Sequence, residues 1–198
     1  MSSTSIAAIL LAAGSSTRLG TSKQLLSYRG RSLLRHVAET ALASSVTEVH
    51  VVVGFEAERM KAELGGLDIH LADNPSWNEG IASSIRAGIS ALPQSVDAAL
   101  LILCDQPLIT AQVLNEMINA YAARGKPIVA CEYGGTVGVP ALFARSFFPE
   151  LLRLQGDRGA KLLITQNLDQ VTAIPFPGGS VDIDTLADKE QFFSSSKA

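Results

Sequence analysis

Apolar residues along the chain come in short, often β-branched runs at residues 6–11, 48–53, 69–71, 98–103 and 128–131. Between most of them lie stretches whose apolar positions repeat every three or four residues, the spacing of one helix face. The clearest is 33–43, where Leu33, Leu34, Val37, Ala41 and Leu42 share a stripe. Helices are also predicted over 56–64, 81–92, 111–123, 146–154 and 186–193, with Thr110 as N-cap of the one at 111–123. This alternation of strand and helix predicts an α/β fold. The run Ala98-Ala-Leu-Leu-Ile-Leu103 has no polar position, which suits a strand covered by helices on both faces and therefore a mostly parallel sheet. Gly134-Gly135 and Pro177-Gly178-Gly179 mark turns. No repeat or composition shift divides the 198 residues, so one domain over 1–198, with a frayed tail at 194–198, is expected.

Composition narrows the function classes. Sixteen Lys and Arg against nineteen Asp and Glu give a net charge of −3, which argues against a broad nucleic-acid-binding face. The apolar run 6–13 is far shorter than the roughly 20 residues that span a bilayer. No basic residue precedes Arg18, so the start does not read as a secretory signal, and a cytoplasmic protein without a membrane partner is expected. Cys104 and Cys131 sit in or beside apolar runs without CxxC spacing and read as buried, reduced thiols. His36, His50 and His70 are isolated along the sequence, with no HExxH, and GxSxG is absent. Neither zinc chemistry nor a serine hydrolase is expected; the histidines read as surface or satisfied structural residues.

Ligands of open α/β sheets bind beyond the carboxyl ends of the strands. The segment after the first run, Leu11-Ala12-Ala13-Gly14-Ser15-Ser-Thr-Arg18-Leu-Gly20-Thr-Ser-Lys23, combines small residues with two cations. Small residues let backbone N–H groups approach an anion that Arg18 and Lys23 can neutralise, so the loop reads as a polyphosphate cradle, with a plain glycine-rich turn as the alternative. It matches neither the Walker A pattern nor GxGxxG. The run 98–103 ends in Cys104-Asp105-Gln106-Pro107, which sets Asp105 at the same edge, as a cation ligand or a turn residue. Asp182 and Asp184 lie two apart in an extended segment; Asp184 is a second candidate ligand or the cap of the helix that follows.

The string Leu-Ala-Ala-Gly-x-Ser-x-Arg-x-Gly-x-x-Lys over 11–23 resembles the N-terminal signature of the nucleotidyltransferases that include molybdenum-cofactor guanylyl- and cytidylyltransferases. Asp105-Gln-Pro, Asn74-Pro-Ser-Trp-Asn-Glu-Gly80 with Ser83 and Ser84, Gly135-Thr-Val-Gly138-Val-Pro140 and Gly156-Asp157-Arg-Gly159-Ala-Lys161 resemble further segments of the MobA-like and cytidylyltransferase branch. Ile81 stands where that branch more often has Met, and Val139 where it more often has His. The resemblance implies a three-layer α/β/α, Rossmann-like sheet of the nucleotide-diphospho-sugar transferase kind. It implies that Leu11, Ala12, Ala13, Gly14, Ser15, Arg18, Lys23, Ser83, Ser84 and Asp105 bind the nucleotide, with Arg18, Lys23 and Asp105 catalytic. Gly138, Pro140, Gly156, Asp157, Gly159 and Lys161 would surround the acceptor, and Asp105 and Asp184 would hold Mg²⁺. The implied reaction is transfer of CMP from CTP to molybdopterin or Mo-molybdopterin, with a recipient molybdoenzyme as a further partner. Ala13, in place of the glycine that accompanies GTP use, favours CTP. A sugar-phosphate nucleotidyltransferase and a noncatalytic molybdenum-cofactor carrier are the alternatives.

Overall fold

The computed structural model describes residues 4–15 and 22–181. In chain order the elements are β1 (Ile6–Leu11), β2 (Ser27–Tyr28), β3 (Arg31–Ser32), α1 (Leu33–Leu42), β4 (Glu48–Val53), α2 (Ala57–Glu63), β5 (His70–Asp73) and α3 (Ile81–Ser90). Then come β6 (Ala98–Leu103), α4 (Ala111–Arg124), β7 (Ile128–Tyr133), β8 (Thr136–Ala144), α5 (Phe148–Leu152), α6 (Lys161–Gln166) and β9 (Val171–Pro175). Among the described residues, seven strands form one sheet in the order β5-β4-β1-β6-β8-β7-β9, parallel except for β8. The fold is a three-layer α/β/α sandwich.

Alternation within β1 shows why three layers form. Ala8 and Leu10 pack into the layer that holds Leu33, Val37, Met60 and Leu114, whereas Ala7 and Ile9 pack against Ile85, Ile89, Leu151 and Ile164. Successive side chains of a strand point to opposite faces, so an uninterrupted apolar run needs cover on both sides. Burying each Leu or Ile side chain contributes roughly 1.5–3 kcal/mol against the entropy of ordering the chain. α1, α2 and α4 cover one face; α3, α5 and α6 cover the other. Ser32 and Thr110 cap α1 and α4 by accepting hydrogen bonds from the N–H groups of Arg35 and Val113.

Besides the short β2–β3 hairpin, which no apolar run marks, three elements depart from the sequence expectation. The helix predicted over 146–154 is a 3₁₀ turn, Arg145–Phe147, followed by the short α5, because Pro149 belongs in a first helical turn and not an interior. β9 adds a strand parallel to β7 that was not anticipated. β8 was also missed, since Gly138 and Pro140 argue against a central strand; the structure admits them at an irregularity where pairing with β7 shifts between Ala130 and Cys131. The predicted helix over 186–193 lies outside the described residues.

Candidate active site

The carboxyl ends of β4, β1 and β6 lie side by side, with Leu11 paired to Val52 on one flank and Leu103 on the other. The chain beyond β1 continues the ladder: Ala12 N–H donates to the Val52 carbonyl at 2.9 Å, and Phe55 N–H donates to that of Ala13 at 3.0 Å. The buried Gln24 side chain then clamps the turn, its Nε2 donating to the carbonyls of Ala12 at 3.1 Å and Gly14 at 2.7 Å. Gln24 was not singled out in the sequence; its only signal was a polar residue next to Lys23. Ser22 Oγ donates to Glu56, which also accepts from Arg59. Those hydrogen bonds, Ser22's foremost, hold the Glu56 carboxyl below the usual carboxylate range.

Lys23 Nζ donates to Asp105 Oδ2 at 2.5 Å, joining the end of the first loop to the end of β6. The other oxygen, Asp105 Oδ1, is buried and has no hydrogen-bond partner among the described residues. A carboxylate oxygen without a partner is costly to bury, and a cation would satisfy it. Both residues line a cleft of about 400 Å³ together with Leu11, Ala13, Gly14, Ser15 and Ser84.

The opposite wall is built by the turn that enters α3. Buried Asn74 donates through Nδ2 to Ser83 Oγ at 2.9 Å and Ser84 Oγ at 3.0 Å, while Ser83 Oγ donates to the Gly80 carbonyl at 2.8 Å. Ser83 is thereby engaged within the turn, and Ser84 faces the cleft. Gly80 adopts φ +95°, and a Cβ there would lie 2.4 Å from Asp157 Oδ1 and 2.6 Å from the Gly156 carbonyl. This close approach brings the 156–159 segment against the cleft, reinforced by Ala82 N–H donating to the Gly156 carbonyl at 3.1 Å. Gly80→Ala is therefore expected to lower stability by about 2 kcal/mol, read as a lower urea midpoint; an unchanged midpoint would show that the two segments part without cost.

Asp157 lines the cleft with Lys23 and Asp105, whereas Arg158 and Lys161 are exposed outside its lining. Gly159 packs near Ile81. Gly138 and Pro140 flank Val139, whose carbonyl accepts from Tyr133 Oη at 2.7 Å and Gln106 Nε2 at 3.0 Å. Gln106 also donates to the Gly179 carbonyl at 3.3 Å. The Asp-Gln-Pro triplet thus divides its labour: Asp105 faces the cleft, and buried Gln106 ties β8 and the 177–180 turn to the end of β6. Arg18, Asp182 and Asp184 lie outside the described residues.

Cys104 and Cys131 are free and buried, as expected; burial pushes the Cys104 thiol well above its ordinary value and that of Cys131 up to about 12. His36 sits against the Pro107 carbonyl, its pKa lowered mainly by burial. The reading of His50 and His70 as isolated is overturned. Register on β4 and β5 pairs them directly, stacks their rings with centroids 4.7 Å apart and gathers both around Glu48. Burial lowers the His50 pKa, with Glu48 opposing that shift.

The model of the MobA-like NTP transferase domain matches residues 8–171. The chain belongs to that family. This MobA-like domain is 29% identical to nicotine blue oxidoreductase of Paenarthrobacter nicotinovorans, over 91% of the chain and 93% of that protein. It is 25% identical to purine catabolism protein PucB of Bacillus subtilis, over 93% and 92%. Among solved structures, Rv0371c of Mycobacterium tuberculosis superimposes with a TM-score of 0.87 at 29% identity, covering 98% of this chain and all of that one. A second structure of Rv0371c is a complex with manganese, at 28% identity and a TM-score of 0.80, covering 97% of this MobA-like domain and all of that chain. No helix among the described residues is long and apolar enough to cross a membrane.

Proposed function

We propose that this MobA-like nucleotidyltransferase moves CMP from CTP to the phosphate of molybdopterin or Mo-molybdopterin in the cytoplasm and releases pyrophosphate. The observation that carries the reading is Asp105: one carboxylate oxygen is held by Lys23, and the other is buried without a partner in the cleft at the strand ends. Its chemistry fits a hard divalent cation, which prefers oxygen ligands and commonly takes one or two carboxylates plus substrate phosphates. Asp105 would hold Mg²⁺, with Asp184 as the second carboxylate; when bound, the ion would neutralise charge on the phosphates. The manganese complex of Rv0371c supports a divalent metal cofactor.

In the transfer, an acceptor phosphate oxygen forms a bond to the α-phosphorus of CTP as the bond from that phosphorus to the β-phosphate bridging oxygen breaks. The electron pair leaves with pyrophosphate. Lys23 and Arg18 stabilise charge on the departing group, and Gln24 keeps the Ala12–Gly14 turn rigid so that no reorganisation is needed at the moment of reaction. Asp157, which lines the cleft beside Gly80, would contact the acceptor. Ala13 lines the cleft, and alanine there is the form that accompanies CTP use in the resembled family.

A second reading draws on the name of the oxidoreductase relative, which would make this chain an electron-transfer enzyme. The two separate in one assay. Purified protein with Mg²⁺, molybdopterin and each NTP in turn should release pyrophosphate with CTP and yield a cytidine dinucleotide of the acceptor by mass spectrometry. Pyrophosphate with a sugar phosphate instead would move the acceptor class, stoichiometric cofactor binding without turnover would favour a carrier, and reductant oxidation without pyrophosphate would favour the second reading.

A further inference from the structure

The cleft leaves a second group of metal-binding side chains unused. Glu48 and His50, two apart on β4, share one face of the sheet, and the register of β4 with β5 sets His70 directly beside His50. Glu48 Oε2 lies 3.4 Å from His50 Nε2 and 3.7 Å from His70 Nε2, and the three ligand atoms all fall within 4.8 Å of one another. Four ligands at the roughly 2.0–2.1 Å bonds of tetrahedral zinc stand about 3.4 Å apart, so the spacing suits such an ion once the His70 ring turns out of its stack on His50. His50 is only 4% exposed, and its Nε2 meets Glu48 at 3.4 Å without good hydrogen-bond geometry to any described residue. A buried ring nitrogen facing a carboxylate and a second imidazole asks for an occupant.

We propose that Glu48, His50 and His70 form a transition-metal site of the zinc class that clips the edge strand β5 to β4. Two imidazoles and a carboxylate suit Zn²⁺ or its neighbours, whereas Mg²⁺ takes oxygen ligands and waters, which separates this site chemically from Asp105. It is also separate in space: His50 pairs with Ile9 in mid-strand, three residues back from the carboxyl end of β4, roughly 10 Å at about 3.3 Å per residue. His70 is 64% exposed, so it can turn its ring to complete the set, and water takes the fourth position. β5 has only four residues and, among the described residues, pairs with β4 alone, so a metal bridge there would reinforce an edge otherwise held by few hydrogen bonds.

The test uses the full-length protein without a histidine tag, titrated with Zn²⁺ and, as a spectroscopic probe, Co²⁺. Wild type and Asp105→Asn should each retain one equivalent of zinc after dialysis, show the visible absorption of four-coordinate cobalt, and melt at a higher temperature with zinc than without. His70→Ala, at an exposed position outside the cleft, should fold and keep its basal activity but bind zinc at least about tenfold more weakly and lose the cobalt spectrum. Equal zinc binding by wild type and His70→Ala, no retained zinc in either, or loss of zinc on Asp105→Asn alone would overturn the assignment.

Discussion

Asp105→Asn is expected to lower turnover by at least about 100-fold while leaving the melting temperature within a few degrees of wild type. The amide keeps the shape of the carboxylate and can still accept from Lys23, so the link between the first loop and the end of β6 survives. It loses the negative charge that would hold a hard cation at the cleft. Steady-state kinetics of pyrophosphate release and a thermal melt separate the two effects. Near-wild-type turnover would remove Asp105 from the chemistry, and a collapse of the melt would make it a structural residue.

Lys23→Met should reduce turnover by about 100-fold, but its cost to folding differs in kind. It leaves the Asp105 carboxylate, whose side chain is 15% exposed, without its counter-charge. Breaking a buried pair from one side costs about 3–5 kcal/mol, and partial exposure reduces that here to about 1–2 kcal/mol. The double variant Lys23→Met/Asp105→Asn should recover most of that stability and be no less active than the worse single variant, because both residues serve one ion pair and one site. Urea unfolding and kinetics of the four proteins measure this. Additive losses in stability would show that the two side chains act independently despite their 2.5 Å contact.

What could be read from the sequence follows from how local each signal is. β1 and β6 were legible because both their faces are buried, which leaves an uninterrupted apolar run, and β4 was legible by its β-branched end Val51-Val52-Val53. The place of Asp105 at the cleft was legible because a charge directly after such a strand has nowhere apolar to pack. β8 was not, since Gly138 and Pro140 are tolerated there only by an irregular pairing that depends on β7. Gln24 was hidden because its role is to donate to two backbone carbonyls ten and twelve residues earlier, which no side-chain pattern reports. The union of Glu48, His50 and His70 was invisible for another reason: twenty residues separate the histidines, and only strand register joins them.

The measurement that bears most directly on the central assignment is a crystal structure of the protein with manganese and a non-hydrolysable CTP analogue, with the metal located by its anomalous signal. A manganese peak coordinated by Asp105, with the triphosphate along the Ala12–Ser15 turn and beside Lys23, is the predicted result. Nucleotide bound away from the β1 and β6 strand ends, or Asp105 turned from the metal, would contradict it.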